Sequence, residues 1–157
     1  MSPFQILLMR HAEKGADLAD PDLSEEGKAR ARQLVAYIPA TFGQLDFLFA
    51  TAQSNHSVRP IGTIKPLSET IGVPIDASYS DQDYGALAQE LLSNAEYIGK
   101  KILVCWHHGN IPSFAQALRG TPGSYPDPWD PSVFNEILQF VYGPGDVPTV
   151  RQVLEPF

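Results

Sequence analysis

The chain has 157 residues, the length of one ordinary domain, and enough to bury about two thirds of its unfolded surface in one core, so a single unit spanning residues 1–157 is expected. Its 43% hydrophobic and 18% charged content and mean hydropathy of −0.14 are those of a globular protein, and no apolar stretch approaches the roughly 20 residues of a membrane-spanning helix. Eleven Lys and Arg against eighteen Asp and Glu leave a net charge of −7, which argues against a broad phosphate-backbone footprint, so neither nucleic acid nor a membrane is an expected partner.

The apolar run Phe4 to Met9, bounded by polar residues, reads as a strand buried on both faces. Neither a basic segment nor a small-residue cleavage site accompanies it, which makes the cytoplasm the expected compartment. Ser24 followed by Glu25 and Glu26 supplies an N-cap and an acidic first turn for a helix whose buried face is Ala31, Leu34, Val35 and Ile38. Asp46 to Thr51 is a second buried run. A helix from Ser57 toward Ile71 follows, which Pro66 is expected to kink or divide. Tyr84, Leu87, Ala88, Leu91, Ala95 and Ile98 recur at helical spacing.

Lys101 to Trp106 is the third buried run. It contains the only cysteine, Cys105, which has no intrachain disulfide partner and reads as a buried thiol suited to a reducing compartment. Ile111, Phe114, Ala115 and Leu118 predict a short helix with Pro112 in its first turn. Pro122, Pro126, Pro128 and Pro131 mark a surface connection, which Trp129 is expected to pack onto the domain. Asn135 to Tyr142 and Thr149 to Leu154 flank Gly143-Pro144-Gly145-Asp146, a closing hairpin that adds at least one antiparallel strand. Strands alternating with helices predict an α/β three-layer sandwich, a mostly parallel sheet with helices on both faces.

Ligands of such sheets collect beyond the carboxyl ends of the strands. There the first run ends in Arg10-His11, the second leads into Thr51 to Arg59, and the third ends in His107-His108-Gly109-Asn110. An acidic chain thus gathers two arginines and at least one histidine at one sheet edge. A planar guanidinium grips two phosphoryl oxygens, and a neutral imidazole attacks phosphorus, so the chemistry allowed is a phosphohistidine intermediate.

At these residues the chain resembles the histidine phosphatase superfamily, also called phosphoglycerate mutase-like, whose signature is Arg-His-Gly or Arg-His-Ala after the first strand. Here it reads Leu8-Met9-Arg10-His11-Ala12-Glu13. Leu23-Ser24-Glu25-Glu26-Gly27 is similar to the family's Leu-Thr/Ser-x-x-Gly, Ser57-Val58-Arg59-Pro60 to the segment bringing a second arginine, and Ile102 to Asn110 to the strand ending in a second histidine. The resemblance implies His11 as nucleophile and Arg10 and Arg59 as the phosphoryl clamp. It also implies His108, which precedes glycine, as the second histidine, with His107 the adjacent alternative and only one of the two facing the phosphate. A general acid is implied near the third helix, where Asp83 and Asp81 are the candidates and Asp83 is equally suited to cap that helix. Lys14 is a candidate substrate contact, His56 a rim residue, and Glu13 reads as a solvated loop charge.

The expectation is a phosphatase of phosphomonoesters or phosphohistidine that needs neither metal nor cofactor, acting on a phosphorylated small molecule or phosphoprotein. The alternatives are a non-catalytic phosphate-ligand or protein-binding module of the same fold and a phosphomutase. Mutases of the family carry an Asn shortly after the nucleophile, and Glu13 to Pro21 has none. A cysteine phosphatase needs an arginine six positions beyond Cys105, where Ile111 stands.

Overall fold

The structure is a computed structural model that describes residues 2–157. The first strand, β1 (Gln5–Arg10), is buried at every position. The helix α1 (Glu25–Phe42) opens as its sequence dictates: the Ser24 hydroxyl accepts the Gly27 N–H at 3.1 Å, and Glu25 and Glu26 occupy the first turn. Next come β2 (Phe47–Ala50) and α2 (Arg59–Ile71), with Pro60 in the first turn of α2. Pro66 does not divide α2. Lacking an N–H, it forfeits only its own bond to the preceding turn, while Ile64 and Leu67 stay in the core.

A two-residue strand, β3 (Ile75–Asp76), precedes α3 (Tyr84–Ser93). The apolar spacing that predicts a helix out to Ile98 overruns this end. Asn94 is extended, and its side chain accepts the Glu96 N–H to start a separate 3₁₀ turn that buries Tyr97. After β4 (Lys101–Trp106) and α4 (Ile111–Ala117), the chain closes with the hairpin β5 (Glu136–Val141) and β6 (Thr149–Leu154).

The sheet order is β3-β2-β4-β1-β5-β6, with β3, β2, β4 and β1 parallel and β5 and β6 each antiparallel to its neighbour. Alternation along β1 sends Ile6 and Leu8 to one face, with α3 and α4, and Leu7 and Met9 to the other, with α1 and α2. The domain is therefore a three-layer α/β sandwich with a core on each side of the sheet. Each fully buried Leu or Ile contributes about 1.5–3 kcal/mol by leaving water, which is why the runs Ile6 to Met9 in β1 and Ile102 to Trp106 in β4 are apolar throughout. Among the described residues no helix is long and apolar enough to cross a membrane.

The register aligns the ends of the central strands. Arg10 stands beside Trp106, and the His11 N–H donates to the Trp106 carbonyl at 3.1 Å, so the residues following both strands emerge together.

Candidate active site

At that edge an open cavity of about 430 Å³ is lined by Arg10, His11, Lys14, Ser54, His56, Ser57, Arg59, Asp81, His107, His108 and Gly109. Arg10 and His11 end β1, Arg59 opens α2, Asp81 lies in the 3₁₀ turn before α3, and the two histidines follow β4. Arg10 is only 2% exposed, His11 4% and Arg59 7%, so the reactive groups lie at the floor of the cavity.

His11 is held in one tautomer. Its Nδ1 lies 2.7 Å from the Ala12 carbonyl oxygen, which can only accept, so Nδ1 carries the proton and Nε2 carries the lone pair. Burial first, then the charges of Arg10, His107 and Arg59, together push the imidazole down to about 3 against the opposing Ala12 hydrogen bond. A neutral imidazole is what nucleophilic attack on phosphorus requires.

The two arginines are short of anions. Burial, then the charge of Arg59, lowers Arg10 to about 10, although Glu13 pulls the other way. Arg10 Nη1 donates to the carbonyls of Pro131 at 2.6 Å and Val133 at 3.3 Å, and its guanidinium carbon sits 3.8 Å from the centre of the Phe134 ring. Arg59 Nη1 donates weakly to the His56 carbonyl at 3.4 Å. The Nε atoms of both arginines are buried and make no hydrogen bond. Cationic donors left unsatisfied side by side form a site complementary to a phosphoryl group.

Both histidines after β4 line this cavity. Strand alternation ends at His107, which is extended, and a 3₁₀ turn begins at His108, so opposite facing no longer applies. The His107 ring packs edge-on against His11 with centroids 5.3 Å apart. Burial lowers both histidines below the usual range. Arg59 and Arg10 add to this at His107 and Arg10 and Lys14 at His108, while Asp81 opposes it at each.

Asp83 does not reach the cavity. It is exposed and accepts the Ser80 hydroxyl at 2.6 Å, and its side chain does not cap α3 either. Asp81, two residues earlier in the same tight turn, lines the cavity instead. Its backbone carbonyl accepts from Trp106 Nε1 at 3.1 Å and Asn110 Nδ2 at 3.3 Å, and its Oδ1 is buried without a partner. Lys14 and His56 are exposed and rim the opening. Glu13, expected to be solvated, is buried and paired with Arg30 at 2.9 Å. Phe134 and the carbonyls of Pro131 and Val133, which hold Arg10, belong to no motif in the sequence; their only signal is a position beside the Pro-rich connection.

The mostly parallel sheet with its antiparallel terminal pair thus gathers Arg10, Arg59, His11, His107 and His108 at its carboxyl edge. No family model and no curated protein matches the sequence. Solved structures do match over nearly the whole chain. The protein histidine phosphatase SixA complexed with tungstate aligns with a TM-score of 0.67 at 17% identity, covering 96% of each chain. A candidate α-ribazole-5'-P phosphatase from Escherichia coli aligns with a TM-score of 0.71 at 14% identity, covering 97% of each. A mycobacterial glucosyl-3-phosphoglycerate phosphatase in complex with inorganic phosphate aligns with a TM-score of 0.59 at 14% identity, covering 98% of this chain and 96% of that one. These likenesses establish the fold; the reaction is argued from the site.

Proposed function

We propose that this chain is a phosphatase that works through a phosphohistidine on His11 and needs no metal. One observation carries the reading: His11 holds its proton on Nδ1, against the Ala12 carbonyl, in a cavity shared with two arginines whose Nε atoms lack partners. Nε2 attacks in line, a phosphorus–nitrogen bond to His11 forms, and the bond from phosphorus to the leaving group breaks, at oxygen in a phosphomonoester and at the imidazole nitrogen in a phosphohistidine. Arg10 and Arg59 hold the phosphoryl oxygens. His107, against the nucleophile, takes the part of the second histidine, and His108 and Lys14 contact the remainder of the substrate. Asp81 gives the leaving oxygen its proton and then takes one from the water that cleaves the phosphoenzyme.

The similarity to SixA and to the phosphatases named above supports a phosphomonoester or phosphohistidine as substrate. The test is phosphate release from an aryl phosphate, a phosphohistidine peptide, phosphoglycerates and sugar phosphates, with EDTA throughout and His11→Ala alongside. Turnover that resists EDTA and falls by at least about a thousandfold in His11→Ala is expected. Turnover abolished by EDTA, or retained in His11→Ala, overturns the mechanism. Binding of phosphate without turnover of any substrate favours the non-catalytic reading.

A further inference from the structure

Thr63 lies one turn into α2, fully buried, and its hydroxyl joins two elements of the cavity. It donates to the Arg59 carbonyl at 2.7 Å, an ordinary local bond for a helical threonine. It also accepts the Ala12 N–H at 2.9 Å, across 51 residues of sequence. Ala12 follows the nucleophile directly, and its own carbonyl receives the His11 Nδ1–H. A continuous run of hydrogen bonds therefore leads from the backbone of Arg59 through Thr63 and Ala12 to the imidazole. The far side of this short segment is secured separately, by Ser24, whose N–H and hydroxyl both donate to the Glu13 carbonyl.

We propose that Thr63 is a positioning residue, whose hydroxyl fixes the Ala12 backbone, and through it the tautomer of His11, relative to the turn that carries Arg59. This rests on the reading of His11 as nucleophile and Arg59 as phosphoryl ligand. A nearly isosteric Thr63→Val change places a methyl against the Ala12 N–H and leaves that donor buried and unpaired. The segment then turns to find another partner, the Ala12 carbonyl leaves the Nδ1–H, and the proton is shared with Nε2. The Nε2–H form presents no lone pair to phosphorus.

The test is the nitrogen-15 spectrum of the His11 imidazole in substrate-free protein, for wild type, Thr63→Val, Thr63→Ala and Thr63→Ser. A single Nδ1–H tautomer is expected in wild type and in Thr63→Ser, which keeps the hydroxyl, and a mixture in the other two. Thr63→Ala carries the test where the valine variant does not fold. With an aryl phosphate, kcat falls about tenfold to a hundredfold in Thr63→Val with a smaller change in KM, and stays within about threefold of wild type in Thr63→Ser. A folded Thr63→Val or Thr63→Ala protein with the wild-type imidazole spectrum overturns the proposal, as does a wild type that is itself a tautomer mixture. If the tautomer responds as expected but no phosphate ester is hydrolysed by wild type, the positioning stands and the proposed reaction fails.

Discussion

Two arginine sites flank the segment that follows β1, and they solve opposite problems. Arg30 holds Glu13 through Nε at 2.9 Å and Nη2 at 3.0 Å, and Glu155 and the Phe157 carbonyl through Nη1 at 2.8 and 2.7 Å. Burial disfavours its charge, but the hydrogen bonds to Glu13 and Glu155 outweigh that and raise its pKa. Arg10, two residues from the segment's other end, has backbone carbonyls and a ring for company, a second arginine nearby, and a lowered pKa. The paired arginine holds the fold together, whereas Arg10 and Arg59 keep buried Nε donors without partners, a deficit of acceptors. His11 reaches toward the deficit and Glu13 toward the balanced cluster, so three consecutive residues serve function and structure at once.

The comparison breaks most sharply on a pair of substitutions. Arg59→Gln removes a cation that is repelled by Arg10, so kcat/KM is expected to drop by about 10²–10³-fold while thermal stability holds or rises. Arg30→Met strands two carboxylates, Glu13 and Glu155, in buried positions, so urea unfolding is expected to register a loss of about 3–5 kcal/mol. Equal destabilisation by the two variants would erase the distinction between the sites.

Asp81→Asn sharpens the picture within the cavity. The amide keeps the shape and removes the transferable proton, so alkyl phosphates, whose leaving oxygens need protonation, are expected to slow by about 10²-fold. Aryl phosphates, which leave as weaker bases, are expected to slow by no more than about threefold. Asp83→Asn, at an exposed carboxylate bonded to Ser80, serves as the control with both substrate types unchanged. Uniform slowing of both types by Asp81→Asn would remove it as the acid.

Much of this was legible in the sequence, because buried strands and their end residues are local patterns. The apolar runs gave β1, β2 and β4, Ser24 marked the start of α1, Arg10 and His11 fell where β1 ends, and Arg59 fell at the start of the helix after β2. What escaped depends on direction or distance. Asp81 and Asp83 differ only by their place in one tight turn, which decides which of them lines the cavity. That the His107 ring packs against His11 depends on where the extended chain gives way to the 3₁₀ turn that begins at His108. The pairing of Glu13 with Arg30 spans 17 residues and the stacking of Phe134 on Arg10 well over a hundred, and neither leaves a periodic trace. β3 is two residues long and exists only because the edge of β2 is there to pair with.

The smallest effect is the most discriminating, because the two regions predict opposite slopes of stability against pH. His11 falls from 6.5 to about 3 on folding, chiefly through burial, so between those values the unfolded chain binds a proton that the native one refuses. Stability then declines as pH falls through that window. Glu155 rises from 4.5 to about 7, again through burial and despite Arg30, so between those values the native chain keeps a proton that the unfolded one releases, and stability declines as pH rises. One proton's difference is worth at most about 1.4 kcal/mol per pH unit, and from pH 4.5 to 6.5 the two largely cancel. Substitution separates them: in urea melts across that range, His11→Asn should make stability fall more steeply with rising pH than in wild type, and Glu155→Gln should make it rise. Parallel curves for both variants and wild type would mean that neither group changes its protonation on folding, and the electrostatic contrast between cavity and cluster would go with it.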